Sequence, residues 1–406
     1  MRSISFNASN GTSISIDAQM MKTSLFSFLC VLLVFGCKIK EVEPIAPNFQ
    51  TTCLLAKKQV FYPDANGVLK LQTEETYQYD SLKRIIAYKF FSDNSYDSTR
   101  YDVSFADSYR YDANGFLTEK NQKGLFYNGY SKRESNKPSP LGIISGKTTF
   151  SYQNGLLIKE EANRRIDAQF LMEFANPRID RKFYAYDAQG KLSKYRDENT
   201  DMNWVSYFLT NGRIIKSETD FYDGNAKKLV MTDEFNRWGL MTQSNRPKVQ
   251  YANGGGRSMT NGVGDYGKFA YDGYGRRMKF DAYRQEESVT NGNLSIADNA
   301  TLWSTTDYQY EDTALPETTL PLPKGHPKIP DFQGVLTYNI RSTIKMGYTF
   351  ATKEPIRKVS ETLYGYTYNS EKLPVNVVIT TNNYDDKGKI TSTDKSLIRY
   401  EYVGCK

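Results

Sequence analysis

Short alternations of apolar and polar residues, interrupted by turn residues, run along most of this chain. The stretch YRYDANGFLTEK, from Tyr109, shows the unit. Tyr109 and Tyr111 are two residues apart, so an extended strand points both to one face. Asp112 follows, and aspartate favours the first position of a turn because its side chain binds backbone amides ahead of it. Gly115 stands where a three-residue hairpin loop needs a left-handed backbone. Phe116 and Leu117 begin the return. The unit predicts a β-hairpin.

Variants of it recur down the sequence. They read FYPDANGVLKL from Phe61, YQYDSLKRIIAY from Tyr77, FSYQNGLLIKEE from Phe150, YAYDAQGKLSKY from Tyr184 and YFLTNGRIIKSE from Tyr207. Further on come FAYDGYGRRMKF from Phe269, YQYEDTALPET from Tyr308, YGYTYNSEKLPVNVVI from Tyr364, NYDDKGKITST from Asn383 and YEYVGC from Tyr400. The same Asp and Gly turn positions are expected at Asp187 and Gly190, at Asp272 and Gly275, and at Asp385 and Gly388. Asn154-Gly155 shortens the turn to two residues. The units recur irregularly, at roughly 20 to 40 residues, which argues against a strict solenoid. Strands of unequal length joined by hairpins predict an antiparallel meander. A meander must hide its two edges, and pairing the first strand with the last would do so. The expectation is an all-β domain over 53–406, closed or nearly closed into a barrel or shell. An open twisted single sheet is the alternative.

Composition points the same way, with 31 Tyr and 22 Phe against 3 Trp, since aromatic residues suit a pleated, half-buried surface. The net charge of +7 arises from 53 basic and 46 acidic residues. They are scattered, with no basic run, which argues against a nucleic-acid partner.

The N-terminal part reads as an address. In MMKTSLFSFLCVLLVFGC, residues 20–37, Lys22 precedes an apolar run from Leu25 to Phe35. That run falls short of the roughly 20 residues a membrane span needs and has the proportions of a secretory signal. Its end, Val34-Phe35-Gly36-Cys37, resembles a bacterial lipobox. The resemblance implies that Cys37 is diacylated and becomes the mature N-terminus, anchoring the protein to the membrane. A non-lipidated signal peptide is the alternative. Residues 1–36 are thus expected to be an upstream extension plus signal peptide, and 37–52, with two prolines and mixed charge, a lipidated tether. Cys30 falls in the signal, which leaves Cys53 and Cys405 at the two ends of the folded segment. A bridge between them is expected in a compartment where disulfides persist; two separate thiols are the alternative.

Candidate chemistry is sparse. The single histidine, His326, lies in LPLPKGHPKIPDF among five prolines between 316 and 330, and reads as a solvent-facing loop residue. The glycine-rich stretch 251–267 lacks a Gly-Lys-Ser/Thr signature. These two loops, 251–267 and 314–331, are the preferred places for binding, because loops carry recognition on rigid scaffolds. The recurrent carboxylates Asp80, Asp112, Asp187, Asp272 and Asp385 sit where turns need Asp. No calcium loop is present, and no metal or cofactor is expected. The tyrosine stripe reads mainly as packing, with a glycan-stacking face as the alternative.

The phrase Y-x-Y-D-x-x-G-x-L resembles the YD repeat of Rhs and teneurin-like proteins. Together with the lipobox, the early CLLAK at 53–57 and the terminal YEYVGC, it resembles a group of YD-repeat lipoproteins from Bacteroidetes over nearly all of 53–406. The resemblance implies a β-strand shell, which in some members encloses a toxic C-terminal domain. This chain has no Asp-Pro-containing boundary motif and no domain after the last repeat, so toxin delivery is not expected. The expected function is a lipid-anchored, non-enzymatic binding or scaffold protein of the cell envelope, on the outer membrane with its periplasmic or surface face open. Its partners would be the membrane, through the lipid, and a glycan or envelope protein. The alternative is a glycan-binding accessory protein or a glycoside hydrolase.

Overall fold

The computed structural model describes residues 4–7, 13–16 and 51–405, except 65, 94–100, 129–141, 169–177, 199–202, 212, 224–225, 232, 247–249, 252–256, 259–261, 291–292, 297–300, 330–337 and 348–356. The chain divides into two units, Met1–Glu43 and Pro44–Lys406. In the first, Ile4–Asn7 and Ser13–Ile16 pair as antiparallel strands. Cys37 and nearly all of the tether lie outside the described residues.

Among its described residues the second unit is one long antiparallel meander, with a separate short pair, Gln250–Tyr251 and Arg257–Ser258. The last strand, Ile390–Val403, pairs with the first, Leu54–Pro63, from Leu397 opposite Phe61 to Val403 opposite Leu54. The sheet thereby closes into a barrel, and the open-sheet alternative is excluded. Closure satisfies the two rows of backbone groups that an open sheet would leave exposed.

The local reason lies in the turns. Gly115 donates its N–H to the Asp112 carbonyl at 3.0 Å, and Asp112 donates to Phe116 at 2.9 Å. The Asp112 carboxylate accepts the Phe116 N–H at 2.8 Å. Gly115 has φ +84°, and Gly190, Gly275 and Gly388 have φ near +76° in the matching turns after Asp187, Asp272 and Asp385. A side chain there would strain the backbone. Lys83 and Lys372 take the same left-handed place without glycine, at φ 61° and 59°. Each turn adds one residue to the returning strand. Arg110 pairs with Glu119 but Tyr111 with Leu117, a bulge that keeps Tyr109 and Tyr111 on one face while the strand bends.

In a single-walled barrel the buried side chains mark the inner face, and the tyrosines lie there. One core gathers Leu157, Tyr184, Leu192, Tyr195, Leu209 and Ile214. A second gathers Leu55, Val377 and Tyr400, with Tyr77, Tyr366 and Tyr402 against them. Burial holds the Tyr184, Tyr195 and Tyr400 hydroxyls well above the usual phenol range.

Tyrosines near the strand ends on the tight-turn rim have a further task. The Tyr111 hydroxyl donates to the Ile85 carbonyl, Tyr152 to Leu117, Tyr186 to Leu157 and Tyr271 to Met241. Tyr79 donates to Leu55, Tyr310 to Arg277, Tyr366 to Ile340 and Tyr402 to Pro374. Each bond ties a strand to the preceding neighbour at the end of the barrel where no turn joins them. A bond of this kind contributes on the order of 1 kcal/mol, and the set laces the tight-turn rim. Where the ring closes, a Cys53–Cys405 disulfide takes the place of a turn between the last strand and the first.

One outward row is polar, while exposed apolar side chains such as Ile86, Leu125, Ile143, Ile215 and Val378 stand elsewhere on the wall. Following the register across neighbouring strands, Arg110, Glu119, Thr149, Glu161, Arg181 and Glu198 succeed one another. This stretch of wall is unlike the apolar outward band of a membrane-spanning barrel.

Candidate functional site

Three places combine position with chemistry. The first is the proline-rich segment after the strand Thr301–Ala314. It begins with a short 3-10 turn, Pro316–Thr319. The Thr319 hydroxyl accepts the buried Leu55 N–H at 3.0 Å, and Glu317 pairs with Lys58 at 2.7 Å. Farther along, Lys324 donates to the Asn114 carbonyl at 3.0 Å and lies 4.6 Å from the centre of the Phe116 ring. The Gly325 carbonyl accepts the Leu157 N–H at 2.9 Å. In the order of the ring, the segment leaves one wall, touches the first strand, and reaches the hairpins at 112–115 and 154–155. It therefore crosses the mouth at the tight-turn end and caps it.

His326 sits inside this cap. Its ring centre is 5.4 Å from that of Phe150 and 6.0 Å from that of Tyr152, and its Nε2 lies 2.9 Å from the Tyr152 oxygen. Tyr152 gives its one proton to the Leu117 carbonyl, so its oxygen accepts from Nε2–H of the imidazole. The sequence-based picture of a solvent-facing histidine is corrected. The prolines stiffen a segment that lies against the inner aromatic face, and burial lowers the imidazole to about 4.

The sign of the pH effect follows. Between the ordinary value of 6.5 and about 4, the unfolded chain takes up a proton that the folded chain refuses, so stability falls as pH falls through that window and is level above it. Partial exposure brings the total to about 2 kcal/mol. Urea midpoints measured from pH 7 to 4 should fall more steeply for wild type than for His326→Gln; parallel curves would count against the half-buried, neutral histidine.

The second place is the inner wall beside the cap. Lys58 lies 3.9 Å from Glu75 and 2.7 Å from Glu317, while the Tyr77 and Tyr88 hydroxyls donate to Glu75. Asp107 is buried and faces Lys120 at 2.7 Å. Each of these inner carboxylates has a cation beside it.

The third is a hollow of about 850 Å³ on the outward face of four successive strands, Tyr101–Tyr111, Leu117–Asn128, Gly142–Gln153 and Leu156–Ala168. Arg110, Lys123, Lys147 and Arg165 line it, with Glu119, Glu161 and a set of serine, threonine and asparagine side chains. Lys147 approaches Glu119 at 2.5 Å and, with Asn121, holds that carboxyl below its ordinary range. Glu161 is likewise held low by Lys159 and Arg181, which lie outside the lining.

The turn residues Asp112, Gly115, Asp187, Gly190, Asp272 and Gly275 are spread along the tight-turn rim, and Asp385 and Gly388 lie at the other end. The fold brings none of these turns together into a reaction centre. Among the described residues, the His/Cys/Asp/Glu group close enough to hold a metal is Cys53, Glu371 and Cys405. The two sulfurs are joined, so neither offers the thiolate a metal would need. Of the glycine-rich stretch 251–267, the described parts are Tyr251, a short pair with Arg257–Ser258 as one strand, and the start of Gly262–Tyr271.

Sequence reasoning missed the hollow, whose residues are the outward partners of the tyrosines. The register was the missing signal, because it sets four polar strands side by side.

No protein-family model matches the chain, and no curated protein matches it. Among solved structures it is similar to a porin-like protein from Bacteroides uniformis ATCC 8492, at 12% identity over 89% of this chain and 99% of that one, with TM-score 0.31. A porin-like protein from Bacteroides vulgatus ATCC 8482 gives 12% identity over 87% and 99%, with TM-score 0.27. A third structure, TcdB2-TccC3-TEV, gives 12% identity over 84% of this chain and 16% of that chain, with TM-score 0.19. At these TM-scores the likenesses carry no argument about function.

Proposed function

We propose that this chain is a lipid-tethered, non-enzymatic binding or scaffold protein of the cell envelope, built from YD-type hairpins. The observation that carries the reading is how the conspicuous side chains are used. The repeated aspartates cap turns, the repeated tyrosines tie strands together, and the one histidine is held neutral against Tyr152. Of the inner carboxylates, Glu75, Glu317 and Asp107 stand beside lysines, and Glu160 and Asp197 accept from Tyr184 and Tyr195. A general acid and base working on a sugar would need two carboxyl groups facing a shared space without such partners.

Among the described residues most tyrosines face inward, and the exposed ones, Tyr62, Tyr274 and Tyr368, come from separate hairpins. That arrangement does not favour an aromatic glycan platform. The disulfide supports an oxidising compartment, and the lipobox-like end of the signal supports the anchor.

The anchor is tested by growing cells with labelled palmitate. Wild type should incorporate label into the protein and Cys37→Ala should not. Equal labelling of the two would sink the tether. Incubation of the purified protein with envelope polysaccharides should release no new reducing ends; release would restore the hydrolase reading.

A further inference from the structure

We propose that the outward hollow over the strands Tyr101–Tyr111, Leu117–Asn128, Gly142–Gln153 and Leu156–Ala168 binds a carboxylated oligosaccharide. This inference rests on the binding-protein reading and gives its ligand class. The hollow, at about 850 Å³, is within the size range of ligand sites. Its lining residues are all polar or charged apart from Gly146, with their carbon stems making up more than half of the lining surface. Ser108, Asn121, Ser145, Thr149 and Asn163 offer hydroxyl and amide groups that can bind sugar hydroxyls in either sense.

The charges select the sign of the ligand. Four cationic side chains, Arg110, Lys123, Lys147 and Arg165, face two carboxylates, Glu119 and Glu161. Both carboxylates are engaged: Glu119 by Lys147 at 2.5 Å and Arg110 at 3.8 Å, and Glu161 by Lys159 at 2.8 Å and Arg181 at 2.9 Å. Lys123 and Arg165 lie in cross-strand line through Ser145, which places two cations on one row of the floor. A ligand rich in hydroxyls and bearing carboxylates matches that pattern.

Other anionic partners match it less well. Single-stranded nucleic acid needs aromatic stacking surfaces, and the lining has none. A peptide adding itself as a strand needs an unpaired sheet edge, whereas each of these four strands is paired on both sides.

The test is calorimetric titration of the full-length protein in detergent with three probes: an oligogalacturonate, a neutral maltooligosaccharide of the same length, and an oligo-aspartate peptide. The oligogalacturonate should bind, with affinity falling at least tenfold in the Lys123→Glu/Arg165→Glu variant and falling with added salt. The neutral sugar should bind at least tenfold more weakly. The variant's melting temperature serves as the control for folding, because both residues are on the surface. Absence of oligogalacturonate binding, equal binding of the neutral sugar or the peptide, or an unchanged affinity in the folded variant each overturns the proposal. Binding of the peptide alone would leave the binding-protein reading standing, whereas cleavage of a sugar probe would overturn its non-enzymatic part.

Discussion

Replacing both Cys53 and Cys405 with serine should lower the stability of the barrel by on the order of 5 kcal/mol. The two cysteines are 352 residues apart. The chain-entropy relation credits a loop of that length with an effect of this size, and strain or residual structure in the unfolded chain can reduce it. The fold gives a second reason to expect a large effect. Elsewhere on the tight-turn rim a hairpin turn or the capping segment joins paired strands, but the last and first strands have no peptide link, and the disulfide joins them. Gly404, at φ +71°, turns the chain into the bridge as Gly115 turns it elsewhere. The Thr51 hydroxyl, donating to Glu371 at 2.6 Å, fixes the entry on the other side. Urea denaturation of wild type, with and without reductant, and of the double variant checks this. Reduced wild type and the double variant should share a much lower midpoint. Midpoints within error of the oxidised protein would remove the disulfide from the account of closure.

Gly325→Ala should cost about 3 kcal/mol and release the cap. Gly325 has φ +77°, and a Cβ there would meet the Gly155 carbonyl oxygen at 2.5 Å and the Phe116 ring at 3.0 Å. The left-handed backbone costs a non-glycine residue about 1–2 kcal/mol, and overpacking against a fixed backbone costs about 1–3 more. The Gly155 oxygen cannot move aside as a flexible side chain would, because it belongs to a two-residue turn with Asn154 at φ 52°. The Gly325 carbonyl is also the acceptor for Leu157, at the centre of one core. Limited trypsin digestion reads the outcome, since Lys324 and Lys328 flank the contact. Cleavage after these lysines should be slow in wild type and fast in the variant, at a temperature where both barrels remain folded. Equal cleavage rates would mean that the segment does not cap the mouth.

Much of this fold was legible in the sequence, and the reason is local. Asp112 and Gly115 specify a turn through contacts within five residues, and the Tyr109 and Tyr111 spacing sets a face through strand geometry alone. Closure was legible because an unpaired edge is costly and the two remaining cysteines stood at the chain's ends. The proline segment could be found but was misread. Five prolines predict an extended backbone, but they do not say what that backbone lies against, and His326 acquires its surroundings from Phe150 and Tyr152, more than 170 positions away. The tyrosine lacing was hidden for the same reason, since the acceptor of each hydroxyl is a carbonyl on the preceding strand. The outer hollow needed the register of four strands together. None of its residues forms a motif within one strand.

Ring closure is the claim on which the rest of the fold depends. Hydrogen exchange on the oxidised protein, resolved to the segments 54–61 and 397–403, tests it most directly. A closed barrel predicts that these amides exchange as slowly as those of the interior pair 103–108 and 119–125, because each segment has a partner on both sides. Fast exchange confined to the outward-bonding amides of 54–61 and 397–403 would show two free edges and contradict the barrel.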